Sequence, residues 1–211
     1  MIVCDTNKFI FIHIPKNSGT EMTQQLRKTY KNTETLVGVD FKGDLKNRGI
    51  DRMHLYYDVI DRYISIDKFD NYFKFCIIRN PYNKIYSAWR YICKARRRQY
   101  NNDVNDFIKY KLTEEFMYGR QSKQGDERVH YRPQYTFLYD NKNNKYADFV
   151  IRYESLNEDI SKMNEQFDLK IPLYDNGNTN KSYIKHLNKE SIQKINSLYK
   201  KDFELFNYEM I

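Results

Sequence analysis

Cysteine is scarce. The 211 residues hold three, Cys4, Cys76 and Cys93, odd in number and far apart. They form no CxxC pair, which argues against a disulfide framework or a zinc site and for a reducing compartment. Long apolar runs are missing too. Stretches such as Phe9-Ile10-Phe11-Ile12 fall far short of the ~18 residues that mark a membrane span. Asp5 precedes any long apolar stretch, so no secretory signal is read at the start. There is no GxxxxGK[ST] loop, no recognisable aromatic RNA-binding motif, no repeat and no linker of domain-splitting length. A single domain over residues 1–211 is expected, a length that buries about 70% of the unfolded surface without a disulfide or metal staple.

Tyrosine and positive charge are plentiful. With 20 Tyr among the residues, the core must lean on rings that keep a polar tip. The balance of 36 Lys+Arg against 28 Asp+Glu leaves +8. That favours anionic partners: phosphates, sulfates, nucleic acid or a membrane surface. Charge alone does not choose among them.

Strands and helices alternate along the chain. Residues 8–14 (KFIFIHI) read as a strand covered on both faces. Pro15 ends it, a polar loop Lys16-Asn17-Ser18-Gly19-Thr20 follows, and a helix opens with Met22, Leu26 and Tyr30 on one face. Residues 35–40 are a candidate short strand, and residues 73–79 (FKFCIIR) a second buried one. Asn80 suits an N-cap and Pro81 the first helical position, ahead of Ile85, Trp89 and Ile92. Residues 103–117 read as helix and 119–128 as loop. Residues 147–153 read as strand, with Ser155 and Glu158 as a capping box for the next helix. Asn188 starts a last helix with Ile192, Ile195 and Leu198 on one face. The expected fold class is α/β, three-layer, with a mainly parallel sheet.

Two stretches carry chemistry. A strand feeding a loop that opens a helix aims backbone N–H groups and a positive dipole end at one spot, which binds anions. Gly19 allows close approach, Ser18 and Thr20 add hydroxyls, and Lys16 adds a full charge. The blander reading is a strand-to-helix turn. The second stretch pairs Arg79, at a strand end, with Ser87 two helical turns on; both suit a phosphate. Here the blander reading pairs Arg79 with a carboxylate. Asp40 offers a weak Walker-B-like alternative, and Arg96-Arg97-Arg98 reads as a solvated helix end.

Taken together these stretches match a known pattern. IPKNSGTEM resembles the 5′-phosphosulfate loop of sulfotransferases, and IIRNPYNKIYSAW resembles their 3′-phosphate segment. HYRPQYTFLYD, ADFVIRYESL and YKKDFELFNY agree in order and spacing. The resemblance is to the family 2 type, which includes carbohydrate 2-O- and chondroitin/dermatan sulfotransferases, and covers residues 8–208.

The resemblance implies a P-loop-like sulfotransferase fold and the donor 3′-phosphoadenosine 5′-phosphosulfate (PAPS), with no metal. Lys16, Asn17, Ser18, Gly19 and Thr20 would hold the 5′-phosphosulfate; Arg79 and Ser87 would hold the 3′-phosphate. Lys16 would stabilise the leaving phosphate during in-line transfer to a hydroxyl, with carbohydrates as the expected acceptors. A histidine suits the base. His54 lies in the region where the family commonly carries it; His130 is the second choice, His13 reads as packed and His186 as a surface residue. His130, Arg132, Gln134 and Lys181 are acceptor-side candidates. Two rivals stand: a small P-loop phosphotransferase and a basic nucleic-acid-binding module. With neither leader nor anchor read from the sequence, a cytosolic, microbial or viral setting is expected, without a membrane partner.

Overall fold

The computed structural model describes residues 1–30, 33–35, 65–96, 103–119, 127–140, 142, 144–174 and 181–211. Within them, Ile2–Cys4 (β1), Phe9–Ile12 (β2), Thr33–Thr35 (β3), Phe73–Ile78 (β4) and Phe149–Arg152 (β5) form one sheet in the order β3-β1-β2-β4-β5. Period-two alternation decides which side each residue faces. Phe9 and Phe11 of β2 join Phe75 and Ile77 of β4 in one core layer, while Ile10 and Ile12 join Cys76 and Ile78 in the other. Both faces are buried, so β2 has no polar side, as expected for a strand sandwiched between helices.

The pairs β2·β4 and β4·β5 are parallel, and these strands carry the site. The other side is antiparallel: β1 turns back onto β2 through residues 5–8, and β3 adds to β1. The sequence reading did not foresee β1. Its short strand at 35–40 meets β3 only at Thr35; residues 36–40 lie outside the described residues.

Helices Gly19–Thr29 (α1) and Leu156–Phe167 (α6) cover one face, burying Met22, Leu26, Ile160 and Met163 against the phenylalanines. Helix Ile66–Asn71 (α2) and residues Phe137, Leu138 and Phe206 cover the other. A third cluster unites Pro81–Arg96 (α3), Val104–Tyr110 (α4), Lys189–Leu198 (α7) and Lys200–Phe206 (α8). Glu114–Tyr118 (α5) adds Met117 to it. Helices thus cover both faces of the sheet, the expected three-layer α/β arrangement. Tyrosines fill the third cluster: Tyr82, Tyr131 and Tyr199 are almost wholly buried. Two of the tips are used, since Tyr199 donates to the Tyr131 carbonyl and Tyr82 bonds Asn196.

Two expected caps form. Asn80 Oδ1 accepts from Tyr82 N at 3.0 Å, and Asn188 Oδ1 accepts from Ser191 N at 2.8 Å. The Ser155/Glu158 box does not. A 3-10 turn, Tyr153–Ser155, leads into α6, and there Ser155 Oγ donates to Asp159 at 3.0 Å while Glu158 pairs with Lys162. The helix expected over 103–117 is two, α4 and α5, because Thr113 caps a fresh start by accepting from Phe116 N.

Candidate active site

The loop after β2 owes its shape to backbone hand. Lys16 and Ser18 have positive φ, 68° and 60°, and Asn17 between them does not. Such alternation turns successive N–H groups toward one side, making a concave seat for an anion. Helix α1 begins at Gly19, so its positive end faces the same seat. Non-glycine residues at positive φ carry strain, which concentrates at functional sites. Ser18, at the N-cap, makes no side-chain capping bond. Thr20 is exposed at the helix start. Gly19 is required by space: a Cβ there would lie 2.1 Å from Cδ2 of His13. His13 is buried beneath the loop, and burial, reinforced by nearby positive charge, pulls its pKa down to about 3. It is a neutral wedge.

Arg79 follows β4, one strand over. Its guanidinium lies 3.9 Å from the ring of Tyr153, donates through Nη1 to the Lys16 carbonyl at 2.9 Å, and through Nη2 to Asn83 Oδ1 at 2.9 Å. Its Nε makes no hydrogen bond among the described residues. Lys16 Nζ sits 3.7 Å from the ring centre of Tyr91 on α3. Burial, then the charge of Arg79, lowers its pKa to about 8. Lys16, Arg79 and Ser87 line one cleft of about 410 Å³. Arg90 and Lys94, further along α3, line it as well, and no Asp or Glu among the described residues does. One polar, cationic cleft therefore joins the two candidate anion seats.

A family model described as "Sulfotransferase family" matches residues 1–209. The chain belongs to the sulfotransferase family. No curated protein and no solved structure matches it. Membership makes this a sulfotransferase acting on an acceptor hydroxyl. Among the described residues, no group of three or more His, Cys, Asp or Glu is placed to hold a metal. Nor is any described helix long and apolar enough to cross a membrane.

The remaining expected site residues scatter. Asn17 is buried with its side chain turned inward: Nδ2 donates to the Ile77 carbonyl at 2.8 Å and to Gln134 Oε1 at 2.7 Å, so only its backbone faces the seat. Gln134, expected as an acceptor contact, is wholly buried and bonds only protein groups. Arg132 donates to the carbonyls of Met117 and Tyr118, at the end of α5. His130 is buried with its ring 5.3 Å from that of Tyr91, the residue under Lys16, but it does not line the cleft. Lys181 opens the 3-10 turn Lys181–His186, whose Tyr183 lines the cleft. His186 is exposed and stacks on Tyr86 at 4.9 Å. His54, Asp40, Arg97 and Arg98 lie outside the described residues.

Sequence reasoning missed Asn83, Arg90, Tyr91 and Lys94. Helical spacing from Ser87 would have found them, since positions 83, 87, 90/91 and 94 share one face of α3. It also missed Lys84 and Asp202. Lys84 is buried, donating from Nζ to the carbonyls of His130 and Arg132 at 2.8 Å each. Asp202 is equally buried and accepts from the backbone of Gln134 and Tyr135. Burial pulls the Lys84 pKa down and pushes the Asp202 pKa up, and each charge offsets the other's shift. No local motif announces such a pair.

Proposed function

We propose that this sulfotransferase takes PAPS as donor and moves its sulfuryl group to a hydroxyl of a carbohydrate. The observation that carries the reading is the single cleft holding Lys16 and Arg79. A nucleotide with phosphates at both the 5′ and 3′ positions fits two anion seats at one sheet edge; ATP offers nothing for the second. The loop Lys16–Thr20 receives the 5′-phosphosulfate on its backbone N–H groups. Arg79 and Ser87 receive the 3′-phosphate, with the unspent Arg79 Nε as a further donor.

In the transfer, the bond from sulfur to the bridging oxygen breaks as the acceptor oxygen bonds sulfur. Negative charge gathers on the bridging oxygen, and Lys16 is the cation near enough to meet it. Its lowered pKa marks an ammonium short of solvent, so a bound anion gains more from it than from an exposed lysine. The acceptor's proton goes to a base, which we assign to His54, with acceptor contacts from His130 and Lys181. Arg132 and Gln134 act on the protein instead. We place the reaction in the cytosol, within a single domain.

The test is a thermal-shift titration without magnesium. Adenosine 3′,5′-bisphosphate should raise the melting temperature and ATP should do so weakly. A shift with Mg-ATP and none with the bisphosphate would favour a phosphotransferase and defeat the reading. Radiolabelled PAPS offered to a panel of hydroxylated glycans, with mass analysis of the product, then identifies the acceptor. His54→Ala should keep bisphosphate binding and lose turnover; near-normal turnover would remove His54 as base.

A further inference from the structure

Gln134 lies behind the cleft, on a 3-10 turn, Gln134–Phe137, that belongs to neither anion seat. Its amide has two donor hydrogens and two acceptor positions, and all four are used. Oε1 accepts from Asn17 Nδ2 at 2.7 Å and from Arg79 N at 2.9 Å. Nε2 donates to the Arg79 carbonyl at 2.8 Å and to Asp202 Oδ2 at 3.3 Å. Three of these bonds end on the two seats: one on the loop that carries Lys16, two on the main chain of Arg79. The fourth ends on Asp202 of α8, which also holds the Gln134 backbone at 2.8 Å. Asn17 in turn donates to the Ile77 carbonyl, the residue before the last of β4.

We infer that Gln134 is a positioning residue that fixes the spacing between the 5′ and 3′ anion seats, with Asp202 as its anchor; the inference rests on the doubly phosphorylated donor proposed above. A ligand that engages two seats at once gains from their fixed separation, because binding at one end presents the other end at high effective concentration. A ligand that engages one seat gains nothing from that separation. Gln134 therefore acts on the bisphosphate and not on a monophosphate. Its role differs from that of an ordinary buried polar group, whose loss lowers stability without regard to which ligand is bound.

The test uses Gln134→Met, which keeps the length and volume and removes all four side-chain bonds, and Gln134→Glu, which keeps the acceptor oxygen facing Asn17 and Arg79 N. Dissociation constants are measured by calorimetry or chemical-shift titration at low temperature for three probes: adenosine 3′,5′-bisphosphate, AMP and adenosine 3′-phosphate. In Gln134→Met the bisphosphate is expected to weaken roughly 30-fold, and each monophosphate by less than about threefold. Gln134→Glu should fall between Met and wild type at pH 8 and move toward wild type at pH 6, where a protonated carboxyl restores one donor. Equal weakening of all three probes, or an unchanged bisphosphate, would overturn the inference. So would failure of both variants to fold, which would make the amide a requirement of the core. If wild type itself binds the bisphosphate no tighter than AMP, the donor reading fails and this inference with it. A wild-type preference that persists in both variants sinks the inference alone.

Discussion

Replacing Gly19 with Ala sets two effects of opposite sign against each other. Gly19 is the first residue of α1, and exchanging a helical glycine for alanine ordinarily stabilises by about 0.5–1 kcal/mol. Here the new methyl would meet three atoms of the His13 ring, at 2.1, 2.2 and 2.8 Å. Ordinary contact begins near 3.4 Å, so ring and helix must part by about 1.3 Å. The ring has nowhere to go, being buried and stacked on Phe11 at 5.8 Å. Overpacking of this kind costs about 1–3 kcal/mol, more where the surroundings are rigid. The clash wins, and the net loss is expected at about 1–2 kcal/mol. Part of the relief must come from α1 and its loop moving, so bisphosphate affinity should fall by at least about tenfold, as misplacements near 1 Å do at such sites. Urea denaturation and calorimetric titration measure the two. Gly19→Ala combined with His13→Ala should regain affinity, because the double variant removes the clash. A single variant as stable as wild type with unchanged affinity would refute the wedge.

Three further perturbations have signs set by the same geometry. Donor affinity should be flat below pH ~7 and weaken as pH rises through about 8, since an anion binds the protonated form of Lys16; Lys16→Arg should abolish that slope, and a flat wild-type titration to pH 9.5 would contradict the assignment. Arg79→Lys loses the fork that spans the Lys16 carbonyl and Asn83, so bisphosphate affinity should drop by roughly 10–100-fold with a smaller effect on AMP; equal losses for both, read by calorimetry, would place Arg79 elsewhere than at the 3′ end. Lys84→Met leaves Asp202 buried without its opposite charge and frees two carbonyls, so urea denaturation should show a loss of about 3–5 kcal/mol, and a loss below about 1 would mean the pair is dispensable.

The parallel strands that frame the proposed seats were legible in the sequence for a local reason. Continuous apolar runs at residues 9–12 and 73–78 announce strands buried on both faces, and Pro15 and Asn80-Pro81 mark where each hands over to loop or helix. Both proposed seats sit at those handovers, so the strands bring the candidate residues to one sheet edge. What was not legible depends on pairing across distance. Asn17 belongs to the anion loop by position, yet its side chain turns to Gln134, 117 residues away. Gln134 and Arg132 look like substrate contacts because their stretch resembles a substrate-side segment of the family. Burial of Gln134 follows from Asp202 and Arg79, which no local pattern near residue 134 reveals. The Ser155/Glu158 box failed similarly: Asp159 takes the Ser155 hydroxyl and the Arg152 N–H, leaving Glu158 to Lys162.

The cleft's charge also bears on what the empty protein tolerates. Arg79 disfavours the charged form of Lys16, and both add to the burial that disfavours the charged form of Lys84. A lysine whose folded pKa is near 8 and whose unfolded value is 10.5 binds fewer protons folded than unfolded between those pH values. Stability contributed by this group therefore rises with pH across that window and is lowest below it, where the ammonium is fully charged. An anion in the cleft reverses the effect, raising the Lys16 pKa and stabilising the folded state by mass action. Alkaline pH and a bound bisphosphate should thus stabilise the protein by overlapping routes. The gain in melting temperature from bisphosphate should be larger at pH 7 than at pH 9.5, and in Lys16→Met, which has no ammonium to relieve, that difference should disappear. Arg79 keeps its charge throughout, so part of the shift should persist at pH 9.5.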